Sequence, residues 1–172
     1  RGQKVYFATR FSRPFKSMEL DNAEIKLKGE KVGTSNIARF MFDTEEGEQI
    51  TVVTALSGVS VEGALKNLDA EAPHNDFDKY LVEAKAAWND QLQRIEIMGG
   101  TDRVNFYTAL YHSMIAPTIY SDVDGKYYGP DKQVHQANGW TNYSTFSLWD
   151  TFRAAHPLFT YTEPERVGDM VQ

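Results

Sequence analysis

The spacing of apolar residues along the chain changes once, near Ser57-Gly58. Before that point apolar and polar positions tend to alternate, the period of a half-buried strand. Residues 4–10 (KVYFATR) form a β-prone run, and Ala23-Glu24-Ile25-Lys26-Leu27-Lys28 alternates up to the turn residue Gly29. Residues 37–42 and 50–56 are apolar runs on either side of the polar, glycine-containing stretch 43–49, a pattern that predicts a hairpin between them. Four strands of this kind predict antiparallel sheet.

Beyond residue 58 the apolar spacing becomes three to four, as on one face of a helix. Ser60 is placed to cap a short helix with Val61, Ala64, Leu65 and Leu68 on its buried face. Asn75 or Asp76 opens a longer one carrying Phe77, Tyr80, Leu81, Ala84, Trp88, Leu92 and Ile95. Gly99-Gly100 then acts as stop and hinge. Thr101 caps a third helix, with Val104, Tyr107, Leu110, Tyr111 and Met114, which Pro117 ends. Residues 121–147 read as irregular, punctuated by Gly125, Gly129-Pro130 and Asn138-Gly139. Residues 148–156 are helix-like, with a break or kink at Pro157, and Thr162-Glu163-Pro164-Glu165 starts a last helix.

That last helix has half an apolar face (Val167, Met170, Val171) and no C-cap signal at Gln172. The first strand has no partner before it. The expectation is a piece of a larger protein, holding the end of a β domain and the start of an α domain. A complete α+β domain with frayed ends is the alternative.

Composition narrows the function classes. The 172 residues carry 18 Lys plus Arg and 24 Asp plus Glu, for a net charge of −6. This argues against a nucleic-acid-binding surface, which depends on cationic contacts to phosphate. No stretch approaches the ~20 apolar residues of a membrane span. The absence of cysteine excludes disulfides, Cys-ligated zinc and thiol nucleophiles.

Aromatic residues crowd between Tyr127 and Tyr161: Tyr127, Tyr128, Trp140, Tyr143, Phe146, Trp149, Phe152, Phe159 and Tyr161. Asp131, His135, Asn138, Asn142, Asp150, Arg153 and His156 are interleaved with them. Sugars are bound by such mixtures, because a flat ring meets the C–H face of a pyranose while charged groups hydrogen-bond its hydroxyls. Helix–helix packing with wet polar ends accounts for the same composition. Trp149-Asp150-Thr151-Phe152-Arg153 is the densest cluster, and helical spacing sets Asp150 and Arg153 one turn apart. That spacing fits either a surface ion pair of little energetic weight or two charges aimed together into a pocket. Asp122-Val123-Asp124-Gly125 lacks the glycine position and the twelfth ligand of a calcium loop and reads as a turn. His74, His112, His135 and His156 show no short metal spacing. There is no nucleophile elbow and no phosphate-binding glycine loop.

The string Phe146-Ser147-Leu148-Trp149-Asp150-Thr151-Phe152-Arg153-Ala154-Ala155-His156-Pro157-Leu158 resembles the signature region of glycoside hydrolase family 92, the bacterial exo-acting α-mannosidases. Residues 5–15, 57–62, 86–88, 106–112, 120–125 and 164–167 agree in order and spacing, so the resemblance runs along essentially the whole chain. It implies an α+β fragment. Residues 1–58 would be the C-terminal part of an N-terminal β-sandwich, 59–98 a helical linker, and 99–172 the start of an (α/α)6 barrel.

The implied activity is calcium-dependent, inverting hydrolysis of terminal α-linked mannose, foremost α-1,2, by a periplasmic or secreted bacterial enzyme. The implied partners are a mannose-containing glycan and the remainder of the parent polypeptide. The resemblance sets the catalytic acid, the base and the main calcium ligands downstream of this chain. No catalytic or metal-binding residue is therefore assigned within it, and the fragment alone is expected to be inactive. Trp149, Asp150 and Arg153 are carried over as wall residues of the mannose pocket, with His112 as a further substrate-binding candidate. A non-catalytic carbohydrate-binding module and a structural accessory domain are the competing readings.

Overall fold

The computed structural model describes residues 4–21, 24–26, 30–32 and 37–172. Strand β1 (Tyr6–Phe11) pairs antiparallel with the distant strand β6 (Val52–Ser57), Tyr6 opposite Ser57 and Phe11 opposite Val52. Between them β2 (Ser17–Asp21) pairs with β5 (Ile37–Met41), and β3 (Glu24–Lys26) with β4 (Glu30–Val32). Ala23, Leu27, Lys28 and Gly29 of the expected second strand lie outside the described residues.

The hairpin expected between 37–42 and 50–56 does not form. Both segments are strands, but each pairs with an earlier one. Nested long-range pairing wins because the connecting residues are committed elsewhere. Ser12 N donates to Thr51 O at 2.9 Å, Thr51 N to Ser12 Oγ at 3.0 Å, and Lys16 N to Met41 O at 2.7 Å. Glu45–Glu48 closes a local turn through Glu48 N donating to Glu45 O at 3.2 Å, without a strand ladder on either side of the turn. The Glu48 side chain accepts from Arg13 and from the Glu45 amide. Phe11, Phe15, Phe40 and Phe42 stack where the two ladders meet.

Helix α1 (Val61–Glu71) lies against the β1–β6 ladder, where Ala8, Ala64 and Leu68 form a small core with Val53, Ala55 and Ala72 packed on it. Ser60 caps α1 as expected, its hydroxyl accepting from Gly63 N at 3.0 Å. Leu65 is 48% exposed, however, and the buried face is Gly63, Ala64, Asn67 and Leu68. Small residues bring the helix close to the sheet, and Asn67 is buried because its amide is fully used. Arg10 of β1 reaches Ala72 O at the end of α1, a cation at the negative end of the helix dipole.

Helix α2 (Phe77–Leu92) is capped by Asp76, which accepts from Lys79 N at 3.0 Å, and it stops before Ile95. It buries none of its residues, but Trp88 meets Tyr111 of α3 (Arg103–Ser113) at 4.5 Å between ring centroids. Gly99 and Gly100 take φ of 88° and 84°, a left-handed pair that turns the chain between the two helices. Asp102 rather than Thr101 holds the N-cap position of α3, and Leu110 is its buried residue.

The stretch expected to be irregular contains a hairpin, β7 (Lys126–Tyr128) with β8 (Val134–Gln136), and a bridge between Ile119 and Tyr143. Three-residue strands around a wide loop carry too little periodicity to read locally. The expected helix over 148–156 is divided into α4 (Leu148–Thr151) and α5 (Ala155–Thr162), and α6 (Pro164–Val171) follows. The break falls at 152–154, before Pro157. Pro157 sits in the first turn of α5, where no intrahelical N–H is required of it. Among the described residues no helix is long and apolar enough to cross a membrane.

Candidate functional site

The four residues of α4 are too few to bury a face, so the side chains of this segment point outward. Trp149 is 87% exposed, and Asp150 beside it is exposed as well. Asp150 N donates to Ser147 O at 3.0 Å, which seats the first turn. Helical spacing predicts a one-turn Asp150–Arg153 pair, but α4 ends at Thr151 and no ion pair joins them among the described residues. Arg153 lies instead over the ring of its neighbour Phe152, 5.6 Å from the centroid. Trp149, Asp150 and Arg153 thus share one exposed stretch with the carboxylate uncommitted. His112 is elsewhere, exposed on the last turn of α3 with its ring 5.7 Å from that of Tyr111. No hydrogen bond, ion pair or ring contact links it to the other three among the described residues.

The aromatic-rich stretch divides between packing and surface. Phe146 packs on His156 and Phe159, and Tyr127 on His135 and Trp140. Trp149 and Tyr161 remain bare, each 87% exposed, whereas Phe152 carries Arg153 over its ring. The Trp149 and Tyr161 faces are open to an apolar partner, which for a soluble ligand means a sugar ring or another flat surface. Chemically the α4 segment can stack and hydrogen-bond. It holds no nucleophile–base pair.

A cavity of about 180 Å³ lies between α2 and the α5–α6 turn, lined by Trp88, Gln91, Tyr143, Phe159, Glu163 and Arg166 among others. Burial pushes the Tyr143 phenol above its ordinary value. The buried Glu163 has Arg94 and Arg166 each at 3.2 Å from Oε2, held by charge without a well-directed hydrogen bond to that oxygen. Sequence reasoning singled out neither Arg94 nor Glu163 as a partner, because they are far apart in the chain and follow no short motif.

A second polar centre joins Ser57, Asn67 and Asp122, all buried. On the hairpin, Asp131 accepts from His135 Nε2 at 2.9 and 3.0 Å, and this bond foremost holds its carboxyl below the usual range. For calcium the test is the donor set. Among the described residues no three His, Asp or Glu side chains gather in a group that could hold a metal ion. These residues by themselves do not fit the ion.

Comparison with known proteins places the architecture among the glycoside hydrolases. Residues 63–172 match the glycosyl hydrolase family 92 catalytic domain. The chain belongs to glycosyl hydrolase family 92. It is similar to the family GH92 α-mannosidase BT3965 of Bacteroides thetaiotaomicron (TM-score 0.80, 34% identity over 91% of this chain and 22% of that one). It is similar also to the GH92 glycosyl hydrolase ccman5 (TM-score 0.81, 28% identity, 97% of this chain and 23% of that one). An uncharacterized secreted glycosidase of Arthroderma benhamiae is 30% identical over 97 residues, 53% of this chain and 12% of that protein. The chain thus spans about a fifth of the solved proteins it matches, which carry 22% and 23% coverage.

Proposed function

We propose that this chain is part of an exo-acting α-mannosidase that removes terminal mannose, foremost α-1,2-linked, with inversion and with calcium. The observation that carries the proposal is the α4 segment, in which Trp149 is 87% exposed beside an uncommitted Asp150 inside the family-matched region. Similarity to a protein described as an inverting GH92 mannosidase, BT2199 of Bacteroides thetaiotaomicron, supports the stereochemical part (TM-score 0.73, 32% identity). In this reading residues 1–58 complete a β-sandwich, 59–98 are a linker, and 99–172 open an (α/α)6 barrel.

The roles follow from chemistry. The Trp149 indole packs under the C–H face of the mannose ring. The Asp150 carboxylate accepts from ring hydroxyls, and the Arg153 guanidinium donates to them, both as charge-assisted bonds. His112 is a further hydroxyl partner approached from α3. Inversion needs two carboxyl groups ~6.5–9.5 Å apart so that water fits opposite the leaving group. We assign that pair, and the calcium ligands, to residues outside this chain, so the 172-residue chain alone does not turn over substrate. Secretion or a periplasmic location fits a glycan-degrading enzyme and the secreted glycosidase it resembles.

The test is hydrolysis of α-1,2-mannobiose by the full-length protein, followed by proton NMR. β-Mannose as the first-formed anomer is expected. The α-anomer first would contradict inversion, and sugar binding without hydrolysis would favour a non-catalytic carbohydrate-binding module.

A further inference from the structure

Asp122 is buried, yet it belongs to a short turn that packing alone does not require to carry a carboxylate. Its two oxygens are each met by a donor: Ser57 Oγ at 2.7 Å from Oδ2 and Asn67 Nδ2 at 2.9 Å from Oδ1. Neither donor can reverse its role. Ser57 Oγ already accepts from Val59 N at 2.9 Å and Ser60 N at 3.2 Å, so its single proton goes to Asp122. Asn67 Nδ2 also donates to Leu56 O at 2.8 Å while its Oδ1 accepts from Val123 N at 2.8 Å, so the amide cannot flip. The pocket therefore accepts a group that presents an acceptor oxygen to each donor. A primary amide fits in neither orientation.

The anchored segment leads to the candidate site. Tyr120 N donates to Asn142 O at 2.8 Å, Ser144 N to Thr118 O at 2.8 Å, and Thr118 N to Ser144 Oγ at 3.0 Å, around the Ile119–Tyr143 bridge. Three residues after Ser144 comes Ser147, whose carbonyl seats the first turn of α4. We propose that Asp122 is a positioning residue for the α4 site: it clasps residues 118–122 to the β6–α1 junction, and the 118–120/142–144 bridge holds Trp149 and Asp150 in register. Coupling between two places can be carried by a chain of contacts, and here each link is a hydrogen bond or a few residues of chain. The inference rests on the reading of α4 as sugar-facing.

Amide hydrogen exchange on the full-length protein, with methyl α-mannoside titrated calorimetrically, separates the two. In Asp122→Asn, exchange over 118–120 and 142–151 is expected to quicken about tenfold while the melt stays cooperative. Mannoside binding is expected to weaken about fivefold. Ser144→Ala cuts the path midway on a more exposed surface, so it decides the matter if Asp122→Asn fails to fold. It should quicken 142–151 while leaving 57–67 protected. Wild-type exchange over 142–151 in the folded variants overturns the proposal. If Trp149→Ala leaves mannoside binding intact, the sugar-facing reading of α4 falls, and the exchange pattern still decides whether Asp122 positions that segment.

Discussion

Arg94 Nη1 lies 3.2 Å from Glu163 Oε2, tying the residue just beyond α2 to the turn between α5 and α6. The same guanidinium donates to Thr162 O, and Arg166 Nη1 meets the same Oε2 at 3.2 Å. The Glu163 side chain is only 6% exposed and the Arg94 side chain 27%, so the pair is screened less than a surface one. Glu163→Gln leaves two guanidinium groups facing a neutral amide. A destabilisation of about 2–4 kcal/mol is expected, below the most costly fully buried cases because both arginines keep contact with water. Urea denaturation of the full-length protein measures it. A change under ~0.5 kcal/mol, the scatter of neutral surface substitutions, would make the pair incidental.

Gly63 is needed for close approach. A Cβ there would sit 2.2 Å from Asp122 Oδ2 and 2.7 Å from Ser57 Oγ, both held in a buried network. Gly63→Ala therefore displaces Asp122, and a loss of about 1–3 kcal/mol follows from overpacking. Helix propensity alone predicts the opposite sign, a gain of ~1 kcal/mol for Ala over Gly. The sign of the Tm change decides between them, and a fall is expected.

Lys66 and Asp124 predict a pH dependence. Their 2.8 Å bond foremost holds the Asp124 carboxyl below its ordinary value and the Lys66 ammonium above its own. The Asp124 contribution is present above the ordinary carboxylate range and is lost as pH falls through its depressed pKa. The Lys66 contribution is present below the ordinary lysine value and is lost as pH rises through its elevated one. Asp124→Asn should flatten the acid limb of Tm against pH below about 4. An unchanged acid limb would show that the bond does not persist in solution.

The helical half was legible because its signals are local. Ser60 and Asp76 cap α1 and α2, and Pro164 opens α6, each from interactions within one turn. Strand partners were not legible. Residues 37–42 and 50–56 look like a hairpin at short range, and only the distant segment 6–21 shows that each pairs elsewhere. Leu65 was assigned to the wrong face because Asn67, polar by type, is buried through hydrogen bonds the sequence does not display. At the candidate site the cluster Trp149-Asp150-x-x-Arg153 was visible as composition. The break at 152–154, which separates Asp150 from Arg153, was not, since it holds no Gly or Pro and the nearest breaker, Pro157, falls inside α5.

The sugar-facing role of α4 is tested most directly by Asp150→Asn in the full-length protein, assayed for kcat/KM on an α-mannoside across pH. Asp150 has no partner in the described fold, so stability should shift by less than about 0.5 kcal/mol. Loss of charge-assisted bonds to mannose should cost about 2–4 kcal/mol of transition-state binding, about 30- to 1,000-fold in kcat/KM. The pH–rate profile should fall in height and keep its shape, because Asp150 transfers no proton. Near-wild-type kcat/KM would remove Asp150 from the site, and loss of one limb of the profile would make it the acid or base that this account assigns to residues beyond the chain.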